Sequence, residues 1–127
     1  MIDHTGVIVS NFQASRLFYT KALAPIGYSL LMEVTSAQTG RNDAAGFGVP
    51  PKPDFWIGSG SPRDSIHVAF RAANRALVDA FYKAAISAGG RDNGAPGLRP
   101  HYHPNYYGAF VLDPDGHNIE AVCHDPG

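Results

Sequence analysis

Glu120 is the residue whose chemistry most needs an explanation. It sits in Asn118-Ile-Glu-Ala-Val-Cys123, a run that reads as a strand. Side chains alternate along a strand, so Ile119, Ala121 and Cys123 share one face, and Asn118, Glu120, Val122 and His124 the other. A lone carboxylate on a half-buried strand costs free energy unless it is paired or bound to a cation. An arginine such as Arg99 is one available partner. Two histidines, His4 and His67, are another, each lying early in its own apolar stretch. Two imidazoles and a carboxylate facing one cavity form a facial triad suited to Fe(II), Zn(II), Mn(II), Ni(II) or Co(II). Three protein ligands leave coordination positions for water and substrate, which is the catalytic rather than the structural arrangement.

A second concentration of reactive types is Arg99-Pro-His-Tyr-His-Pro-Asn-Tyr-Tyr-Gly108. As a loop over the cleft it would supply His103 and Tyr107 as acid–base groups, with His101 and Tyr106 beside the substrate. Trp56 is expected on the cleft wall, in the aromatic run Phe55-Trp56-Ile57. His117 and His124 read as turn and strand-end residues, and Asp113 and Asp115 as turn formers. Cys123 alternates away from Glu120 and is expected to be packed.

The elements that must position these groups follow from pattern. Ile2–Val9 is an expected strand, Ser10 or Asn11 a cap, and Phe12–Ala24 a helix ended by Pro25 and Gly27. Ala14, Leu17 or Phe18, Lys21 or Ala22 and Pro25 form its expected inward stripe. Tyr28–Thr35 is a strand, residues 38–42 a turn, Ala44–Val49 a strand and Phe55–Gly58 a short strand. Ser65–Arg71 is a strand, and Asn74 caps a helix over Arg75–Ala88 with Leu77, Phe81, Ala84 or Ala85, and Ala88 inward. Arg91–His103 is expected to be a loop because of its Gly and Pro content, and Tyr106–Leu112 a strand. Asp113-Pro-Asp-Gly116 is a tight turn, with Pro114 presetting one backbone angle and Gly116 free to take positive φ.

The chain repeats. Displaced by 63 positions, the step from His4 to His67, Phe18-Tyr19 falls on Phe81-Tyr82 and Gly27 on Gly90. The repeat predicts a single α+β domain of two modules, about 1–60 and 64–127, with a mixed, mostly antiparallel sheet curled around a cleft. It places His4 and His67 at equivalent points. At the point equivalent to Glu120 it has Ile57, with Trp56 beside it, and neither can ligate.

Composition narrows the function. A formal net charge of −1 with no basic run argues against nucleic acid and against an anionic membrane. The single cysteine cannot form an internal disulfide, which points to a reducing, cytoplasmic setting. No apolar run reaches the length of a membrane span.

Gly108-Ala-Phe-Val-Leu-Asp-Pro-Asp-Gly-His-Asn-Ile-Glu120 resembles the closing motif of the vicinal oxygen chelate superfamily. That superfamily includes glyoxalase I, bleomycin and fosfomycin resistance proteins and extradiol dioxygenases. The opening His4, Phe18-Tyr19 and Leu23–Gly27 are similar to its first unit, and His67 to the start of its second. The resemblance implies paired βαβββ modules around a divalent metal, ligated here by His4, His67 and Glu120. It implies a homodimer, in some members with the first ligand supplied by the partner chain. Glyoxalase I usually has a fourth ligand on the last strand of the first module, where this chain has Phe55-Trp56-Ile57. The remaining set is closer to extradiol dioxygenases and fosfomycin-modifying transferases. The expectation is therefore a metal-dependent enzyme acting on a small oxygen-chelating substrate, by dioxygenase-like or lyase- or transferase-like chemistry. The alternative is a protein that sequesters a small drug-like molecule, as bleomycin-resistance members do.

Overall fold

The computed structural model describes residues 1–127, apart from the side chain of Thr39. The first half runs β1 (Thr5–Val9), α1 (Phe12–Leu23), a 3-10 turn (Ala24–Ile26), β2 (Ser29–Val34), α2 (Ser36–Thr39), β3 (Ala44–Gly48) and β4 (Phe55–Ser59). The second runs β5 (His67–Arg71), α3 (Arg75–Ser87), β6 (Arg91–Leu98), β7 (Tyr107–Leu112) and β8 (Asn118–Cys123). Each half forms its own four-stranded sheet, ordered β1-β4-β3-β2 and β5-β8-β7-β6. In each, the first strand lies parallel to the last and the other pairs are antiparallel. This is the expected α+β pair of βαβββ modules, built as two mixed sheets.

Local chemistry sets the helix ends. Asn11 Oδ1 accepts the Ala14 amide at 3.1 Å, and Asn74 Oδ1 the Leu77 amide at 2.9 Å. The buried stripe of α1 is Ser15, Phe18, Tyr19, Ala22 and Leu23. It is turned by about one residue from the expected stripe, and Leu17 is exposed. On α3, Val78, Phe81 and Ala85 are buried, with Leu77 and Ala88 packed at the margin. The two helices pack on each other and on one face of the sheets. The core there joins the modules: the Phe55 ring lies 5.1 Å from Tyr19 and 5.1 Å from Phe70. The opposite face is the more open one, with Ile8 and Met32 exposed in the first sheet and His67 and Arg71 in the second.

Two expectations are corrected. Residues 36–39 form a short helix that overlaps the turn expected over 38–42, opened by a capping box of Thr35 and Gln38. Arg91–Leu98 is a strand, not a loop; its pairing with β7 slips at Asp92/Gly94 and Gly94/Gly97, so its glycines sit in irregularities rather than ending the strand.

The pairing register also moves the counterpart of Glu120. Gly6 pairs with Trp56, while the repeat-equivalent Ala69 pairs with Glu120. Trp56, not Ile57, therefore stands where Glu120 stands in the second sheet. A slip of one residue along a strand exchanges its faces. Ile57 is accordingly fully buried in the core and Trp56 lies half-buried on the open face.

The turn before β8 locks the two modules together. His117 is 1% exposed. Its Nδ1 accepts the Ile66 amide at 3.0 Å, so Nε2 carries the proton and donates to the Ile8 carbonyl of β1 at 2.8 Å. Asp115 accepts the Ser10 amide at 3.0 Å. Buried Asp113 accepts the Tyr19 hydroxyl at 2.5 Å and the amides of Asp115 and His117. Gly116 makes the turn possible with φ of 86°. Burial first, then the Asp113 carboxylate, pushes the Tyr19 phenol well above its ordinary value, so it stays a donor.

Candidate functional site

The open face of the second sheet carries the site. Strand alternation puts His67, Ala69 and Arg71 of β5, Glu120 of β8 and Phe110 of β7 on it, while Val68, Phe70, Ile119 and Ala121 turn into the core. Glu120 is 1% exposed, yet both its oxygens have partners. Oε1 lies 2.9 Å from His67 Nε2, and Oε2 accepts the Tyr106 hydroxyl. Arg99 does not pair with Glu120; its guanidinium donates to the carbonyls of Ala95 and Gly97. Burial first, then the hydrogen bond to Glu120, raises the Tyr106 phenol above its ordinary value, and the Arg99 charge opposes that rise. Tyr106 is therefore neutral and donating at physiological pH.

The Arg99–Gly108 segment divides between two places. Tyr106 reaches Glu120, but Tyr107, next along the chain, points the opposite way. Its hydroxyl donates to Asp79 of α3 at 2.7 Å, and Arg75 lies over its ring. Tyr107 is thus on the helix face and away from Glu120. His103 accepts the Asn105 amide at Nδ1, at 3.1 Å, so its Nε2 carries the proton and donates to His124 Nδ1 at 2.8 Å. Both rings stand edge-on to Tyr106, with centroids 5.5 and 5.4 Å away. His103 braces the phenol instead of reaching Glu120. The His101 ring packs at a tilt against Tyr102 with centroids 4.2 Å apart, and Tyr102 likewise against Tyr106 at 4.8 Å.

The first module contributes from a distance. His4 is exposed, and its Nδ1 lies 2.7 Å from Asp3 Oδ2, a contact that with Lys52 lowers the Asp3 carboxyl from its ordinary value. His4 and His67 border one cleft of about 370 Å³, together with Asp54, Phe55 and Arg71. Among the described residues, no three His, Cys, Asp or Glu side chains gather to hold an ion. The chain thus brings His67, Glu120 and Tyr106 together and leaves His4 and Trp56 on the other module. Cys123 is buried and free, as its place in the alternation implied. Among the described residues, no helix is long and apolar enough to cross a membrane.

Sequence reasoning missed the bracing role of His103 and His124 and the placement of Phe110, rather than an arginine, across from Glu120. Alternation along Tyr106–Leu112 carries that signal, since Tyr106, Gly108 and Phe110 must share the face that Tyr107 does not.

Comparison with known proteins supports this architecture. No curated protein sequence matches the chain. A glyoxalase/bleomycin resistance protein from Albidiferax ferrireducens T118 superposes with a TM-score of 0.74 at 24% identity, covering 97% of this chain and 98% of that one. A glyoxalase/bleomycin resistance protein/dioxygenase family enzyme from Burkholderia phytofirmans PsJN gives 0.69 at 17% identity, covering 98% of both chains. The V278E mutant of glyoxalase I from Zea mays also gives 0.69, at 19% identity, with 95% of this chain covering 43% of the maize chain. These likenesses establish the fold. A family model matches residues 1–121, nearly the whole length, and the chain belongs to the Glyoxalase/Bleomycin resistance protein/Dioxygenase superfamily.

Proposed function

We propose that the protein is a divalent-metal-dependent enzyme whose ion is held by His67 Nε2, Glu120 Oε1 and, from a first module, His4. The observation that carries this reading is the 2.9 Å approach of those two atoms at a carboxylate that is 1% exposed. Two donors each about 2.1 Å from one ion and at right angles to each other stand about 3.0 Å apart. The pair would present one imidazole nitrogen and one carboxylate oxygen to such an ion. Fe, Zn, Mn, Ni or Co all accept imidazole and carboxylate. When bound, such an ion supplies Lewis acidity toward two vicinal oxygens of a small substrate.

The chain's own residues do the rest. Tyr106 holds Oε2 and so fixes which oxygen of Glu120 faces His67. His103 and His124 hold the Tyr106 ring, and its phenol is the proton-bearing group nearest the pair. In this reading Tyr106 takes the part that the sequence assigned to Tyr107. Trp56 stands in place of a fourth, carboxylate ligand, which disfavours glyoxalase-type proton shuttling and favours dioxygenase-like or lyase- or transferase-like chemistry.

His4 would come from a second copy in a homodimer. In the first module Ile8 is 43% and Met32 51% exposed, apolar surface that such a copy would cover. The test is to co-express His4→Ala and His67→Ala chains and measure bound metal in the isolated mixed dimer. Each variant alone is expected to bind none, and the mixed dimer one ion at its single intact site. Metal absent from the mixed dimer but present in wild type would place the site within one chain. Metal absent from wild type, with ligand binding indifferent to chelator, would favour a sequestering protein.

A further inference from the structure

Arg99 follows β6 and folds back over it. Its Nη1 donates to the Gly97 carbonyl at 2.9 Å and its Nη2 to the Ala95 carbonyl at 2.8 Å. Its Cζ stands 5.5 Å from the centroid of the Phe110 ring. Missing side chains on β6 make the room. A Cβ at Gly94 would lie 2.9 Å from that ring and 3.2 Å from Nη2, and one at Gly97 3.2 Å from Nη1. Phe110 pairs with Glu120 across β7 and β8, and its ring lies 6.3 Å from that of His67. The guanidinium is therefore fixed on the open face that carries His67 and Glu120.

A guanidinium has five N–H donors, and two of these are used on carbonyls. Among the described residues, no carboxylate pairs with it. A half-buried cation that is held in place by backbone and an aromatic ring, with donors to spare, is already ordered for a planar or tetrahedral oxyanion. We infer that Arg99 forms an anion subsite that takes a carboxylate, phosphonate or phosphate group of a ligand lying along this face. Placing that group at the far end of a metal-held substrate rests on the proposed function, and makes the substrate an oxygen-chelating acid. The anion subsite itself does not require the metal.

The charge balance of the face gives the inference a second handle. Glu120 pairs with Phe110, over which Arg99 lies, so replacing its carboxylate by an amide strengthens anion binding at Arg99. The experiment is an amide and Arg Nε–H NMR titration with methylphosphonate at constant ionic strength, on chelator-treated wild type and on Arg99→Gln, Arg99→Lys and Glu120→Gln. Wild type is expected to show saturable shifts at Gly94, Gly97 and the Arg99 Nε–H. Arg99→Gln should bind about tenfold more weakly, Arg99→Lys should fall between because it lacks the fork, and Glu120→Gln should bind more tightly. Shifts that never saturate, or equal affinity in Arg99→Gln, would overturn the subsite. Should Arg99→Gln not fold, equal affinity in wild type and Arg99→Lys overturns it instead. Anion binding in a protein that takes up no metal would leave this inference standing and the metal reading refuted; metal uptake without anion binding would do the reverse.

Discussion

Replacing Tyr106 by Phe removes one oxygen atom and one hydrogen bond. Among the described residues that bond is the only one to Glu120 Oε2, and Glu120 is 1% exposed. A hydrogen bond to a charged group contributes about 1.5–3 kcal/mol. Tyr106 itself is only half-buried, so water can partly take the place of its hydroxyl, and the lower part of that range applies. For a domain of this size about 2 kcal/mol lowers the melting temperature by roughly 6–10 °C. The assay is thermal unfolding by circular dichroism in chelator at neutral pH, followed by metal titration of the folded variant. Metal affinity should fall about 10- to 100-fold, because the hydroxyl orients a ligating carboxylate. Tyr107→Phe is the control. It removes a bond to Asp79 on the helix face and should leave metal affinity unchanged. A Tyr106→Phe protein with unaltered melting and unaltered metal affinity, or equal metal loss in both variants, would refute this account of Glu120.

Two further outcomes follow from the turn that joins the modules and from the buried phenols. His117→Ala strands the Ile66 amide and the Ile8 carbonyl and opens a buried space, so urea denaturation should show a loss of about 2–4 kcal/mol; a loss below about 0.5 kcal/mol would mean that the turn does not couple the halves. Tyr19 and Tyr106 keep their protons above the ordinary tyrosine value of 10.0. Above that pH the unfolded chain releases protons that the folded chain retains, so stability is fully present below it and falls as pH rises beyond it. Stability that is flat or rising there, or early phenolate absorbance from Tyr106 in a Tyr106→Phe difference titration, would contradict the hydrogen bonds assigned to these groups.

Much of this architecture is written in the order of residue types. The repeat that links His4 with His67 places the strands and both long helices, though not α2: displaced by 63 positions, Phe12–Leu23 falls on 75–86 within α3, and Ala44–Gly48 on 107–111 within β7. The same displacement puts Ser29–Val34 on 92–97, inside the strand that local composition hid behind glycine and proline. Pattern carried over from one half was more informative there than propensity, because pairing with β7 overrides weak strand formers. Register was less legible. Nothing local distinguishes Trp56 from Ile57 as the counterpart of Glu120, and a single-residue difference in pairing decides it. The partners of Glu120 were legible only in part. His67 follows from the repeat, while Tyr106 and Tyr107 differ only in which face of β7 each occupies. His117 looks like a turn residue in sequence, and its bond to Ile8 depends on the packing of one module against the other.

The most direct test of the central claim is calorimetric titration of the chelator-treated protein with Mn(II), Zn(II) and Ni(II), beside His67→Ala and Glu120→Gln. The account predicts one ion per chain in wild type, none in His67→Ala and markedly weaker binding in Glu120→Gln, with both variants folded. Equal uptake by wild type and His67→Ala would contradict it.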